Sequence, residues 1–329
     1  MDKFTQKVLE TIRRNELIPE GTPVTVGFSG GADSMCLLYV LNSLTGLLKC
    51  SVNAVHVNHN LRGPEALRDQ EFCRDFCASH DIPFEAVSVD VNGYVSEHGL
   101  STEEAARILR YEALTKKAEE TGAVIAVAHH SEDQAETILL NMLRGTGVKG
   151  LSGMSYRRDN IIRPLLDVSK EDILSFINEQ GLSFVTDSTN LENDYARNRI
   201  RNEIMPALKG INVRAAEHIC LMGEKSAEAD AYIRNEAEEY VKENAAVSDG
   251  EVRLPRKKLA LRPQIFRRYV IITCISLLGV PLKDWGETHF SDIEKALTAK
   301  KGYHTDLPMG VKADNTYTEI ILKASGGKA

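Results

Sequence analysis

The chain has 329 residues, of which 43% are hydrophobic and 26% charged, and its formal net charge is −7. This length favours two domains, and the composition is ordinary for a folded, soluble protein. The six scattered cysteines exclude a disulfide framework, and the most apolar run, 270–280, is too short to cross a membrane. We therefore expect a cytoplasmic protein without membrane contact.

Strand and helix patterns alternate through the first half of the chain. Short runs rich in Val, Ile and Ala predict strands at 24–29, 51–58, 84–90 and 123–130. Helical patterns lie between them, near 33–46, 65–80 and 101–121. This alternation predicts an α/β fold with a parallel sheet flanked by helices, in which ligands bind at the carboxyl ends of the strands.

The pattern changes after about residue 210. A long acidic helix is predicted near 213–244, followed by a basic stretch at 253–268, two further helices and a hairpin-like end. We predict three segments: a catalytic domain at 1–210, a connecting helix at 211–250, and a small C-terminal α+β domain at 251–329.

A glycine turn with the sequence SGGADS follows the first predicted strand. It lacks the lysine of a Walker A loop and the GxGxxG of a dinucleotide fold. The backbone N–H groups of Gly30 and Gly31 and the hydroxyls of Ser29 and Ser34 predict an anion-binding nest at a helix N-terminus. A carboxylate at Asp33 would repel phosphate unless Mg²⁺ lay between them, so we expect Asp33 to bind Mg²⁺. The alternative is that Asp33 is a plain helix cap in a plain turn.

The hexapeptide matches the SGGxDS signature of the ATP pyrophosphatases, which cleave ATP between the α- and β-phosphates to adenylate an oxygen. Four further stretches resemble the tRNA(Ile)-lysidine synthase family: HVNHNLRG (56–63), STEEAARILRYEAL (101–114), AHHSEDQAETILLNMLRGTGVKGLSGM (128–154) and VTDSTNLENDYARNRIRNEIMPAL (185–208). They occur in the family's order and spacing.

This resemblance covers about residues 20–210 and implies a Rossmann-like ATP-pyrophosphatase fold. It implies ligation of free L-lysine to C2 of the wobble cytidine in a tRNA(Ile) with a CAU anticodon, through an adenylated cytidine. ATP and Mg²⁺ are the implied cofactors, and tRNA and lysine the implied partners. Members of this family are often homodimers, so a homodimer is also expected.

Two carboxylates, Asp133 and Glu136, are spaced i, i+3 and therefore share one face of a predicted helix. With the resemblance, we expect both to bind lysine and to act in catalysis. The alternative is that they complement the helix dipole. The lysine amine must be neutral to attack, which costs about 4–5 kcal/mol at pH 7, and one of these carboxylates would accept its proton.

The resemblance assigns further residues to the nucleotide. Arg107, within the stretch EEAAR, is expected to act in catalysis by holding phosphate, against the alternative of a solvated surface charge. His56 is expected to contact the nucleotide, and no cysteine follows it at the spacing of a zinc site.

Basic residues in two regions are expected to bind tRNA, through Arg144, Arg197 and Arg201 in the first region and Arg256, Lys257 and Lys258 in the basic stretch. The side chains of Asp187, Ser188 and Asn190 are expected to order the loop before Arg197. Alternatively, the arginines are solvated surface, and those near 262–268 pair with the acidic helix.

Two other functions compete with this interpretation. A tRNA thiolase of the same superfamily typically uses paired cysteines, often CxxC, and this chain has no CxxC. A non-catalytic nucleotide-binding or RNA-binding module would not need the intact SGGADS turn together with the two carboxylates. Release of AMP and pyrophosphate that depends on lysine and tRNA distinguishes the three.

Overall fold

The computed structural model describes residues 1–61, 63–185, 195–282 and 285–324. They form two compact units, Met1–Lys225 and Ser226–Ala329. Within these ranges, no helix has the length and apolar composition that a membrane crossing requires.

A sheet with strand order β3-β2-β1-β4-β6-β5 forms the centre of the first unit. Its neighbouring strands are parallel, except that β5 and β6 are antiparallel. In register, Val24 of β1 lies opposite Val52 of β2 and Val124 of β4, so these strands end at a common edge. The strands are β1 (Val24–Gly27), β2 (Val52–Asn58), β3 (Phe84–Ser88), β4 (Val124–Ala126), β5 (Arg157–Arg158) and β6 (Ile161–Ile162).

Helices cover this sheet on both faces, as the sequence predicts. One hydrophobic core joins α1, α2 and α8 to the sheet, and a separate core packs α5 against it. The helices are α1 (Lys3–Arg14), α2 (Ala32–Leu48), α3 (Pro64–Ser79), α4 (Val91–His98), α5 (Thr102–Thr121), α6 (Ser131–Leu143), α7 (Val148–Leu151), α8 (Lys170–Glu179), α9 (Tyr195–Arg199) and α10 (Met205–Ile211), with a π-helical turn at Ile200–Ile204. The predicted parallel α/β fold is confirmed.

The second unit is an α+β domain, again as predicted. Helix α11 (Ala215–Asn244) begins in the first unit and ends in the second. An antiparallel sheet of order β7-β8-β11-β10-β9 packs with α13 and α14 around one hydrophobic core. The elements are β7 (Ala246–Ser248), β8 (Glu251–Pro255), α12 (Arg256–Ala260), α13 (Gln264–Leu277), α14 (Glu287–Thr298), β9 (His304–Asp306), β10 (Val311–Asn315) and β11 (Glu319–Ala324), with a 3₁₀ turn at Pro308–Gly310.

Candidate active site

The glycine turn joins the carboxyl end of β1 to the N-terminus of α2. The hydroxyl oxygens of Ser29 and Ser34 lie 3.0 Å apart, and Ser34 Oγ also accepts a hydrogen bond of 3.2 Å from the Ser29 N–H. Gly31 caps α2, and no described side chain accepts a bond from the first N–H groups of this helix. The turn therefore has the geometry of an anion nest.

Gly30 is the position where this turn requires glycine. Its φ of +83° is left-handed, and an added Cβ would lie 3.0 Å from Cys73 Sγ. We expect Gly30→Ala to lower the free energy of unfolding by about 2–3 kcal/mol, because strain and crowding add, and to weaken ATP binding. Denaturant unfolding and ATP titration measure both effects.

Gly21 provides the matched control. Its φ of +79° is similar, but an added Cβ would meet nothing within 4 Å. Gly21→Ala should therefore cost only about 1 kcal/mol, the strain of the backbone alone, and leave ATP binding unchanged. Equal losses in the two variants would contradict the crowding at Gly30.

Asp33, in the first turn of α2, forms an ion pair that the sequence analysis missed. Lys170 Nζ lies 2.5 Å from Asp33 Oδ1, although 137 residues separate them. Lys170 begins α8, and its backbone N–H donates to Glu132 Oε2 at 2.9 Å. The capping sequence SKED gives a signal for this helix start, since the Asp172 N–H donates to Ser169 Oγ. A lysine from α8 thus lies beside the loop, which has none of its own.

His130 lies between two carboxylates at the end of β4. Its Nε2 is 3.9 Å from Asp33 Oδ2 and 3.5 Å from Asp133 Oδ2. Burial by itself lowers the pKa of His130, but the hydrogen bond to Glu132 and the charges of Asp133, Asp33 and Glu132 outweigh burial and raise it. Burial raises the pKa of Glu132, but its bonds to His130 and to the Lys170 backbone lower it to about 2. An imidazole therefore links the phosphate turn to the predicted lysine-binding carboxylate.

Glu136 is buried, with 2% of its side chain exposed, and two guanidinium groups share its carboxylate. Arg201 donates to both oxygens, at 2.7 and 2.9 Å, and Arg197 Nε donates at 3.2 Å. Arg201 also donates to Asp133 Oδ1 at 3.1 Å. The hydrogen bond to Glu136 raises the pKa of Arg201 by more than burial lowers it. For lysine to bind Glu136, or for tRNA to bind Arg197 and Arg201, these pairs must open.

The other residues predicted in the first unit lie apart from this network. His56 is buried within β2, where its Nδ1 is 2.9 Å from the Phe28 carbonyl oxygen, and burial lowers its pKa despite this bond. Arg107 is exposed on α5, with its guanidinium 5.4 Å from the Tyr111 ring centroid. Arg144 caps the C-terminus of α6 and is exposed. The predicted loop residues Asp187, Ser188 and Asn190 lie outside the described residues.

In the second unit, the basic residues divide into two types. Arg256 donates to the carbonyl oxygens of Leu297 (2.7 Å), Thr316 (2.9 Å) and Ala299. Lys257 and Lys258 are exposed, and Lys257 Nζ lies 4.4 Å from the Tyr317 ring centroid. This geometry favours a structural role for Arg256 over the predicted tRNA contact.

We expect Arg256→Met to lower the free energy of unfolding by about 2–4 kcal/mol, because three carbonyl groups lose a donor. By contrast, Lys257→Ala should leave the free energy of unfolding unchanged. It should reduce the slope of log tRNA affinity against log salt concentration by about one, because one phosphate contact is lost. Thermal unfolding and filter binding at several salt concentrations measure these effects. If Arg256→Met kept full stability but bound tRNA more weakly, Arg256 would contact tRNA as predicted, and the structural role would be wrong.

The chain matches known proteins over most of its length. Residues 1–208 match the family model described as PP-loop domain. A curated tRNA(Ile)-lysidine synthase from Caldanaerobacter subterraneus subsp. tengcongensis is 32% identical over 325 residues, which are 97% of this chain and 68% of that protein. The chain belongs to the tRNA(Ile)-lysidine synthase family.

Another member of the tRNA(Ile)-lysidine synthase family, from Clostridioides difficile strain 630, is 41% identical over 246 residues, which are 74% of this chain and 53% of that protein. The chain thus spans between about half and two thirds of the length of these relatives. Among solved structures, the U34-tRNA thiolase NcsA from Methanococcus maripaludis, with its [4Fe-4S] cluster, has a TM-score of 0.56 at 19% identity over 68% of this chain and 79% of that one. That likeness supports the fold.

The carboxylates of this lysidine synthase family member fit a magnesium ion that is bound largely through phosphate. Mg²⁺ typically takes one or two carboxylates together with phosphate oxygens and water. Asp33 and Asp133 converge on His130 beside the nest. Within the described ranges, no three His, Cys, Asp or Glu side chains form a metal-binding group. Among the described residues the donor set would therefore suit an ion shared with a nucleotide and held by Asp33 once its pair with Lys170 opens, and it does not suit an ion held by protein side chains alone.

Proposed function

We propose that this chain ligates L-lysine to C2 of the wobble cytidine of tRNA(Ile) with a CAU anticodon, through an adenylated cytidine, with ATP and Mg²⁺. One observation carries the proposal: the anion nest, Asp33 and Asp133 meet at the carboxyl edge of β1 and β4. His130 Nε2 lies 3.9 Å from one carboxylate and 3.5 Å from the other. A phosphate site thus adjoins an acidic site, as a reaction between ATP and a cationic amino acid requires.

In the first step, O2 of the cytidine attacks the α-phosphorus of ATP. The bond to the bridging oxygen breaks, and pyrophosphate leaves. The N–H groups after Gly30 and the Lys170 ammonium, which lies beside Asp33, would bind this pyrophosphate. A Mg²⁺ ion held by Asp33 would neutralise further charge on the leaving group.

In the second step, the neutral ε-amine of lysine attacks C2. The bond from C2 to oxygen breaks, and AMP leaves with that oxygen, so that the base pairs with A instead of G. Burial raises the pKa of Asp133, but the charge and the backbone N–H of His130 and the charge of Arg201 lower it, so Asp133 is ionised and attracts the ammonium group. It first holds the amine and then accepts its proton.

The test combines the full chain with radiolabelled lysine, ATP and CAU-anticodon transcripts of tRNA(Ile) and tRNA(Met). We expect labelled tRNA(Ile), with one AMP and one pyrophosphate for each lysine, and no labelled tRNA(Met). If no AMP forms with both co-substrates present, the proposal is wrong. Reaction that requires a sulfur donor would instead identify a thiolase, and binding without pyrophosphate release a non-catalytic module.

The cysteines favour ligation over thiolation. Cys73 and Cys77 are both buried on α3, and burial raises the pKa of Cys77 to about 12 and that of Cys73 further. Such thiols are poor nucleophiles at physiological pH. That the protein is cytoplasmic and that it forms a homodimer are still predictions.

A further inference from the structure

A second group of polar side chains adjoins the candidate active site at the ends of β4 and β6. His129 follows β4, and Arg163 follows β6, the neighbouring parallel strand. The pairing continues past β4, because the Val127 N–H donates to the Ile162 carbonyl oxygen at 3.0 Å. Burial lowers the pKa of Arg163, and Tyr111 of α5 lies close enough to the guanidinium to oppose this effect in part. We call Tyr111, His129 and Arg163 the β4–β6 cluster.

Each member of the β4–β6 cluster has a buried polar atom without a hydrogen-bond partner in the described part of the chain. Only 3% of Arg163 is exposed; its Nη1 donates to the Ser155 carbonyl oxygen at 2.8 Å, but its Nε finds no acceptor. His129 Nδ1 likewise has no partner, and the Tyr111 hydroxyl has none at strict hydrogen-bond geometry, although it lies near the Arg163 guanidinium. Since buried polar atoms are nearly always paired, three exceptions in one place indicate that a ligand supplies the partners.

The positive charge of the β4–β6 cluster is suited to binding an anion. Across the described residues, no carboxylate forms an ion pair with Arg163, and Arg158 and Arg107 add positive charge nearby. Burial, with the neighbouring arginines, lowers the pKa of His129 to about 3 against the attraction of Asp133, so this imidazole is neutral. A buried cation without a partner is strongly destabilising. A carboxylate has two oxygens that accept hydrogen bonds and no donor. It therefore matches the edge of the guanidinium that carries the unpaired Nε.

A negative charge also lies near His129. The Asp133 carboxylate interacts with His129 and is 14% exposed. A buried cation, Arg163, and an anion, Asp133, thus both act on the neutral His129 ring, as the carboxylate at one end of lysine and the ε-ammonium at the other require. Phosphate has its own donors in the nest and at Lys170, so the remaining anion to be bound is the carboxylate of the amino acid.

We propose that Arg163, assisted by the Tyr111 hydroxyl, binds the α-carboxylate of the lysine substrate. This inference rests on the proposed function and names the subsite that orients lysine within it. With the carboxylate held at β6, the ε-amine at the far end of the side chain extends towards the nucleotide. The subsite would thereby select an amino acid over a simple diamine.

The test compares lysine with 1,5-diaminopentane, which keeps both amines and lacks the carboxylate, using the full chain, ATP and the tRNA(Ile) transcript. Arg163→Met should raise the KM for lysine roughly 10- to 100-fold, the range of a charge-assisted hydrogen bond. It should leave the KM for ATP and the reaction of the diamine within about twofold. Arg163→Lys should restore part of the loss, and Tyr111→Phe should cause a smaller loss in the same direction.

Arg13→Met is the matched control, because Arg13 is an exposed arginine on α1 that does not act on the cluster, and its loss changes the net charge equally. It should leave both substrates unaffected. Equal losses for lysine and the diamine in Arg163→Met would show a structural role, and a raised KM for ATP alone would show a phosphate site; either result overturns the inference. If Arg163→Met does not fold, Tyr111→Phe provides the test. In that case an unchanged preference of Tyr111→Phe for lysine over the diamine overturns the inference. The unmodified chain tests the proposed function separately: if it ligates no lysine, the proposed function itself is wrong.

Discussion

Replacement of Asp33 by asparagine is expected to lower kcat/KM for AMP formation by about 100- to 1,000-fold. The amide keeps the shape of the side chain but removes the charge that pairs with Lys170 and that would hold Mg²⁺. The loss should fall on ATP activation, so the Mg²⁺ concentration needed for half-maximal rate should rise as well. Steady-state AMP release at a series of Mg²⁺ concentrations measures both quantities.

Controls for Asp33→Asn come from the same helices. Asp172, two residues after Lys170, pairs with Lys7 at 3.7 Å on the surface, so Asp172→Asn removes a comparable charge without effect on rate. Lys170→Met should also lower the rate, and the double variant with Asp33→Asn should lose less than the sum of the two, because the residues act on one ligand. An Asp33→Asn variant with activity within threefold of the unmodified chain would contradict the assignment.

Replacement of Glu136 by glutamine is expected to lower the free energy of unfolding by about 3 kcal/mol. The carboxylate is 2% exposed and accepts from both Arg197 and Arg201. Its neutralisation removes the charge that both guanidinium groups share, leaving Arg201 with Asp133 and Arg197 with the Thr137 hydroxyl, so the segment from α9 through the π-helical turn is held less firmly on α6. Denaturant unfolding at neutral pH measures the loss, and the KM for lysine should be determined with the same variant.

Glu203→Gln is the control for Glu136→Gln. Glu203 pairs with Arg199 at 3.3 Å in the same segment, but both side chains are more than half exposed, at 60% and 52%. The expected loss is below about 0.5 kcal/mol. If Glu136→Gln kept full stability and raised only the KM for lysine, Glu136 would be a lysine ligand, as the sequence analysis predicts, and not an anchor for the two arginines.

Local patterns predicted much of the fold, because local interactions form those elements. The run 24–29 predicted a strand, and β1 occupies Val24–Gly27. The pattern at 101–121 predicted a helix, and α5 occupies Thr102–Thr121, where the Glu104 N–H donates to Ser101 Oγ at 3.2 Å. The very short strands β5 and β6 were missed, since two residues carry no periodicity.

The candidate site was predictable in its residue types but not in its pairs. The glycine turn and Asp133 were found because spacing places them at strand ends. Lys170 was missed because its partner Asp33 is 137 residues away. The sequence also gave no means of deciding that Arg256 donates to carbonyl oxygens of its own unit while Lys257 stays exposed.

The sequence by itself determined the family, the alternation of strands and helices, and the glycine turn, since each depends on residues close together in the chain. The tertiary structure decided which charges meet: Lys170 at Asp33, two arginines at Glu136, and Arg163 without a carboxylate among the described residues. Burial and charge pairing depend on which elements the sheet brings together, and a cation's partner is therefore set by the fold and not by its neighbours in sequence.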